Sequence, residues 1–369
     1  MGSASTVREK SVYYSPQIDG LRFVAALLVF IHHSPDVPFL SGIKEYGWIG
    51  VDLFLAISAF LLTKILLLEW KATEAISIRR FYIRRALRIF PLYIFYLTAV
   101  CAWALIEGHL VASTVVGWWL GFMSFTGNLM TAIGGYSPVP FTAHLWTISL
   151  EEQVYAVLPM LLLLYLLSGA GRRSFVAIAL SLIAVLIVAR LGFTLLGTQH
   201  PFIWVLPLRA DSFVLGAIAA VLMTGAQMKH SSLLTVIGIA LMASVVLFPP
   251  VDVPGLYQVI GYTVIALGCV LVVVGVQTDG LLARVLSWSP VRYFGKISYG
   301  VYVYHVLCIS MAGKLVASLS SNDGPGEGIL IFALGLAMTL ALSSLSYELF
   351  EKSFLKIKNR YSTVISRPV

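Results

Sequence analysis

Ten apolar stretches divide this chain of 369 residues, each close to the roughly 20 residues a helix needs to cross a bilayer. They run at about 17–36, 47–68, 88–107, 151–168, 174–196, 204–226, 231–248, 256–276, 296–318 and 327–350. In hydrocarbon the backbone N–H and C=O groups find no water, so stretches of this length are expected as helices. Charge is scarce as well: 11% of residues are charged, against about 25% in a soluble globular protein. The expected fold is an all-α polytopic membrane protein with about ten transmembrane helices. Spans and short loops use up residues 1–369, which reads as a single membrane domain. The first stretch lacks a small-residue cleavage site and is followed by many others, so it is a span and not a removable signal peptide.

Basic residues set the expected orientation, because lysine and arginine collect on the cytoplasmic side of membrane proteins. With the N-terminus inside, the inside segments hold Arg8 and Lys10, then Lys71, Arg79, Arg80, Arg84, Arg85 and Arg88, then Arg172 and Arg173. They continue with Lys229, with Arg284, Arg292 and Lys296, and with a tail of Lys352, Lys356, Lys358, Arg360 and Arg367. That is 19 of the 25 basic residues, and of the other six only Lys44 falls in an outside loop. Both termini are expected in the cytoplasm. The formal charge of +8 is thus first a matter of topology, and no nucleic-acid partner is expected.

Residues 108–150 do not fit the count. They lie outside, yet V-V-G-W-W-L-G-F-M-S-F is apolar, too short to span and rich in tryptophan, which favours the interface. An interfacial or re-entrant piece over an outer opening is expected there. Cys101, Cys269 and Cys308 sit inside apolar stretches without metal-ligand spacing, so they read as core residues, with no metal expected.

The first span carries polar residues that lipid would not tolerate cheaply. Between Pro16 and Pro38 lie Asp19, Arg22, His32 and His33, and a charge at mid-membrane costs at least about 2.5 kcal/mol. At 100° per residue, His33 returns to within about 20° of Arg22, roughly 16 Å further along the helix. Ala26 and Val29 lie between them, small enough for a groove, while His32 points about 80° away. Arg22 and His33 are expected to face one interior space.

Other constellations carry both a structural and a chemical reading. In S-I-R-R-F-Y-I-R-R-A-L-R-I-F-P, Arg85 and Arg88 share a helix face; they serve topology, or they form a phosphate cradle, since arginine forks match phosphate oxygens in pairs. In A-H-L-W-T-I-S-L-E-E-Q-V-Y, Ser149 and Glu152 fit a capping box, which leaves Glu151 free for chemistry. His144 reads as an interfacial polar residue. Asp52 opens the second span, and Arg209 and Asp211 open the sixth; buried charges must pair, so these are structural as well as candidate functional residues. Tyr299 and His305 lie in I-S-Y-G-V-Y-V-Y-H, where a lone histidine is more often a hydrogen-bonded core residue.

These segments, taken together, resemble the acyltransferase 3 family of integral membrane O-acyltransferases. I-D-G-L-R-F-V-A-A-L-L-V-F-I-H-H resembles its opening signature. G-V-D-L-F-L-A-I-S-A-F-L-L-T, R-R-A-L-R-I-F-P, H-L-W-T-I-S-L-E-E-Q-V-Y-A-V-L-P, R-A-D-S-F-V-L-G-A-I-A and G-K-I-S-Y-G-V-Y-V-Y-H follow in order. One departure is visible: F-L-A-I-S-A-F stands where the family usually has F-F-x-x-S-G-F, so Ala59 adds a methyl group where close helix packing is expected. Some members carry a further C-terminal esterase-like domain, which is not expected here.

The resemblance implies an O-acyltransferase, most simply an O-acetyltransferase, in the inner membrane of a bacterium. It implies His33 as general base or acyl carrier, with Glu151 as its catalytic partner on the imidazole or the acceptor. Acyl-coenzyme A (acetyl-coenzyme A) is the implied donor, bound by Arg22, Arg85 and Arg88, and a hydroxyl of a sugar, lipid-linked glycan or small secreted molecule the acceptor. Asp19, Asp52, Trp146, Arg209, Asp211, Tyr299 and His305 are the expected supporting or substrate-binding residues. The implied partners are the bilayer, the donor and the acceptor, with an oligomer allowed. A transporter of lipid-linked sugars is the alternative; the lack of internal symmetry, and arginines at the inside mouth instead of the midplane, weigh against it.

Overall fold

A computed structural model describes residues 11–197, 205–225, 231–248, 255–278, 280–319 and 325–365. Arg8, Lys10, Lys229 and Arg367, which entered the charge argument, and the start of the sixth predicted span lie outside the described residues.

The described chain is almost wholly helical. In order, the helices are α1 (Pro16–His33), α2 (Ser41–Tyr46), α3 (Ile49–Thr73), α4 (Ile78–Glu107), α5 (Ala112–Met123), α6 (Gly127–Gly134), α7 (Trp146–Leu167) and α8 (Arg172–Leu195). Then come α9 (Asp211–Met223), α10 (Ser231–Ala243), α11 (Leu256–Gly275), α12 (Leu281–Leu286), α13 (Ser289–Lys296), α14 (Ser298–Leu319), α15 (Pro325–Ser346) and α16 (Lys352–Arg360). Each predicted span contains one of these helices. Among the described residues, seven helical segments are long and apolar enough to cross a membrane; Ser231–Leu247, Asp211–Met223 and Ala112–Met123 are shorter apolar ones. This is the architecture of an all-α polytopic membrane protein.

α1 and α3 form the middle of the packing. α1 lies against α3, α13 and α14, and α3 lies against α9 and α11. Without water outside the bundle, helices gain most from close backbone approach, and small residues permit it. A Cβ on Gly216 would come 2.9 Å from both Ala56 O and Ala59 Cβ. The methyl group that Ala59 adds is therefore matched by a glycine on the facing helix. Gly238 and Gly268 do the same between α10 and α11, where a Cβ on either would meet the other's carbonyl oxygen at under 3 Å.

α4 starts at Ile78, about ten residues before the predicted span, because Ser77 accepts the Arg80 N–H at 3.4 Å and caps it. The arginine run thus sits in the first turns of a long helix. Residues 108–150 hold two short helices, and α5, with 12 residues, rises only about 18 Å. Tyr93 and Tyr96 of α4 donate to Phe122 O (2.9 Å) and Phe141 O (2.8 Å), and Asn128 and Gln153 bond each other, tying this region to α4 and α7. At the other end, Ser11–Val12 pairs in parallel with Val364–Ile365, so the two ends of the described chain lie side by side.

Candidate active site

Two cavities run between α1, α3, α7 and α14. The first encloses about 1340 Å³ of empty space counted out to its mouth and is lined by Arg22, Arg84, Arg85, Arg88, Glu151 and Tyr299. The second, of about 760 Å³, is lined by His32, His33, His144, Trp48, Trp146 and Tyr136. Val51, Thr147 and Tyr302 line both, so the two spaces meet at one wall.

The arginine cavity is positioned by pairs set into its walls. Asp19 is buried, accepts from Tyr14 Oη at 3.1 Å, and holds Arg22 Nη1 at 3.1 Å, one helical turn on. Arg84 bridges Glu69 and the Tyr361 carbonyl, both at 3.0 Å. The Arg85 guanidinium stacks on the Tyr155 ring, 3.8 Å from its centroid, and its Nε is buried without a hydrogen-bond partner among the described residues. Tyr155 also donates a short hydrogen bond to Glu151. Tyr299 donates to Ile89 O at 3.0 Å. A cationic pocket with an unsatisfied buried guanidinium edge is suited to an anion with several oxygens.

Part of this cavity was not legible in the sequence. The tail contributes Lys358, Ser362 and Val364, with Lys358 only 6% exposed. From the sequence its lysines carry a topological role alone, because nothing local to α16 shows that it folds back over α4.

The second cavity is lined by three histidines, which His305, packed behind them, joins into a run of four imidazoles. Ring centroids lie 5.1 Å apart for His32 and His33, 4.8 Å for His33 and His305, and 4.8 Å for His305 and His144. Their hydrogen bonds fix the tautomers. A carbonyl can only accept, so His33 Nδ1, 2.9 Å from Val29 O, carries the proton, and in the neutral ring the lone pair is on Nε2. Nδ1 is also 3.3 Å from His305 Nε2, while His305 Nδ1 donates to Tyr302 O at 2.6 Å. His33 Nε2 has no hydrogen-bond partner among the described residues, and the side chain presents open surface to the chamber. His144 Nε2 donates to Val303 O at 3.2 Å, leaving Nδ1 buried and unpartnered. The rings meet edge to face and do not converge on a point; among the described residues no cluster of His, Cys, Asp or Glu could hold a metal ion.

Several expectations are corrected by this geometry. The face shared by Arg22 and His33 does not open on one space: Val29 lines the chamber, but Ala26 packs in a core with Ile297 and Val301. His32 also lines the chamber, which wraps the C-terminal end of α1, and its Nδ1 is held at 2.8 Å from Lys44 O. No capping box forms, because a 3₁₀ turn at Ala143–Leu145 starts α7 at Trp146 and leaves Ser149 inside the helix. Glu151 lies in the arginine cavity and not beside the imidazoles. His144 is a buried member of the histidine run and not an interfacial residue.

Asp52, Arg209 and Asp211 line neither cavity. Arg209 forms a short pair with Asp52, which also accepts from Ser212 Oγ at 3.3 Å, and the guanidinium lies 4.9 Å from the Trp48 ring, behind the chamber wall. Asp211 pairs with Arg190, a partner that sequence reasoning passed over, at 2.6 Å.

Comparison with known proteins decides the family. The acyltransferase 3 profile, described as an acyltransferase domain, matches residues 15–348. The chain belongs to the acyltransferase 3 family. A peptidoglycan O-acetyltransferase of Listeria monocytogenes is 25% identical over 364 residues, covering 93% of this chain and 56% of the relative. A Bacillus subtilis relative provisionally named a peptidoglycan O-acetyltransferase is also 25% identical, over 92% of this chain and 54% of its own length. A Staphylococcus aureus relative provisionally named an O-acetyltransferase is 25% identical over 94% of this chain and 58% of its own. This acyltransferase-family chain thus spans little more than half the length of these relatives. No solved structure matches it.

Proposed function

We propose that this chain is a membrane O-acetyltransferase of the bacterial inner membrane that passes an acyl group from acyl-coenzyme A to a carbohydrate hydroxyl. The observation that carries the reading is the shared wall: a cationic cavity lined by Arg22, Arg84, Arg85 and Arg88 meets a histidine chamber at Val51, Thr147 and Tyr302. A donor with phosphates at one end and a thioester at the other fits that sequence of environments. Arg22, Arg85 and Arg88 would hold the phosphates, with Glu151 helping to set the Arg85–Tyr155 stack.

In the chamber, the lone pair on His33 Nε2 takes the acceptor's hydroxyl proton, and the Val29 carbonyl and His305 keep Nδ1–H in place. The freed oxygen attacks the thioester carbon, the C–S bond breaks, and the thiolate recovers the proton from His33. Trp48, Trp146 and Tyr136 give the chamber the flat apolar faces on which a sugar ring rests. The relatives named for peptidoglycan favour a cell-wall glycan as acceptor. Direct transfer needs only one base, and the single free Nε2 favours it over an acyl-histidine.

The test is thiol release from acetyl-coenzyme A by purified protein in detergent, with and without a peptidoglycan fragment. Wild type and His32→Gln should turn over, and His33→Gln should not. A wild type that neither binds nor consumes acyl-coenzyme A, yet moves lipid-linked sugar across vesicles, would overturn the reading in favour of transport.

A further inference from the structure

Acyl transfer puts negative charge on the thioester carbonyl oxygen, and that charge has to be met where donor and acceptor react. On the reading above, this is the wall between the two cavities. Of its three shared residues Val51 is apolar, which leaves two hydroxyls, those of Thr147 and Tyr302.

These hydroxyls are arranged as a pair. They lie in short hydrogen-bond contact with each other. Tyr302 Oη donates to His144 O at 2.8 Å, and Thr147 Oγ1 reaches the same carbonyl at 3.2 Å. Two hydroxyl protons serve these three contacts, so one hydroxyl can hold His144 O while the other turns its proton to a newly charged oxygen. Both residues are buried, Thr147 at 6% and Tyr302 at 9% exposure, where a hydrogen bond to an anion is worth more than in water. The Tyr302 ring is held by edge contacts to Phe54 at 6.2 Å, His144 at 5.5 Å and His305 at 5.6 Å, and its own backbone carbonyl accepts from His305 Nδ1. One residue therefore ties the base's neighbour to the wall between the cavities.

We infer that Tyr302 and Thr147 form the oxyanion hole of the transfer, binding the carbonyl oxygen of the thioester as it becomes charged. The acceptor oxygen bonds to the carbonyl carbon, its proton passes to His33 Nε2, and the carbonyl π pair moves onto the oxygen, which accepts from Tyr302 Oη while Thr147 Oγ1 takes over His144 O. Collapse returns that pair, expels the coenzyme thiolate and gives it the proton from His33. The inference rests on the donor and base assigned above, and it adds two residues that neither the family signature nor helix spacing singled out.

The experiment compares wild type with Tyr302→Phe, Thr147→Val and Thr147→Ser in the thiol-release and transfer assays, with melting temperature measured on each. Tyr302→Phe keeps all three ring contacts and loses only the hydroxyl. It should lower kcat by about a hundredfold, the usual effect of one oxyanion donor, with KM for acetyl-coenzyme A and the melting temperature unchanged. Thr147→Val should lower kcat less, and Thr147→Ser should restore it. In a His33→Gln background that binds the donor without turning over, ¹³C-labelled acetyl-coenzyme A should show a carbonyl stretch lowered by the wall, and Tyr302→Phe should abolish that shift. An active wild type whose Tyr302→Phe variant keeps kcat within twofold, or loses activity only through KM, overturns the oxyanion hole and leaves donor and base in place. A wild type inert towards acetyl-coenzyme A removes the donor reading and the oxyanion hole with it.

Discussion

Arg190 and His33 are both polar groups carried on apolar helices, and they are treated in opposite ways. Arg190 is fully buried and offers five N–H donors, all matched: Nε to Val259 O, Nη1 to Leu208 O and Asp211, Nη2 to Asp211 and Thr263. His33 has one nitrogen matched to Val29 O and His305, and the other has no partner among the described residues. The first arrangement removes every reason to react and locks α8 to α9 and α11. The second keeps one lone pair available beside a cavity. Position in the sequence does not separate the two, since both residues sit in apolar helices; what separates them is whether the neighbours complete the hydrogen bonding.

The sharpest way to break this contrast is to neutralise His33. His33→Gln should cut kcat for acyl transfer by about a hundred- to ten-thousandfold, the range of general base catalysis, and leave the melting temperature in detergent within a degree or two. An effect on melting as large as that on rate would place His33 with Arg190 as a structural group.

The converse change comes next in size. Asp211→Ala leaves the Arg190 charge buried without its carboxylate, a loss of about 3–5 kcal/mol. The expected result is poor extraction and a strongly lowered melting temperature, measured by the fraction of monodisperse protein after heating. Protein that does survive should keep its KM for the donor, because Asp211 lines neither cavity. The same applies to Asp52, whose pair with Arg209 lies behind Trp48.

The sequence told these regions apart only in part. Spans were legible because apolar runs of bilayer length leave few alternatives, and the arginine cluster was legible because Arg85 and Arg88 are one helical turn apart. Arg22 and His33 each line a cavity, but not the one space that their shared face led one to expect, because a helical wheel cannot show that Ile297 and Val301 fill the groove at Ala26. His144 joins the histidine run through Val303, 159 residues away, and Arg190 finds Asp211 across a segment that carries no pairing signal. The Ser149–Glu152 box was read from a pattern that is correct only if the helix starts there, and the preceding 3₁₀ turn starts it earlier. Spacing within one helix was readable; where that helix begins, and the contacts closed between helices, were not.

Arginines of the donor cavity should give the third effect. Arg85→Ala removes a guanidinium whose Nε is buried without a partner among the described residues, so beyond the loss of its Tyr155 stack its cost should appear in donor binding. A hydrogen bond to a charged group is worth about 1.5–3 kcal/mol, which corresponds to a rise of about ten- to a hundredfold in KM for acyl-coenzyme A. Arg88→Ala should behave alike, with kcat at saturating donor little changed in both.

Lys358 tests the same contrast where it is weakest. It lies near the end of α16, lines the arginine cavity, and is almost covered. The segment that carries it is held by Arg84 on Tyr361 O and by the pairing of Ser11–Val12 with Val364–Ile365. A lysine serving topology alone would show no preference for one end of the donor. One serving the cavity adds a single point charge without the arginine fork, so Lys358→Ala should raise KM for acyl-coenzyme A only a few-fold, and more in low salt than in high, because screening weakens a lone charge. Lys358→Arg should recover most of the loss. If KM is unchanged at every ionic strength while Arg85→Ala raises it, the tail only roofs the cavity, and donor binding belongs to α1 and α4 alone.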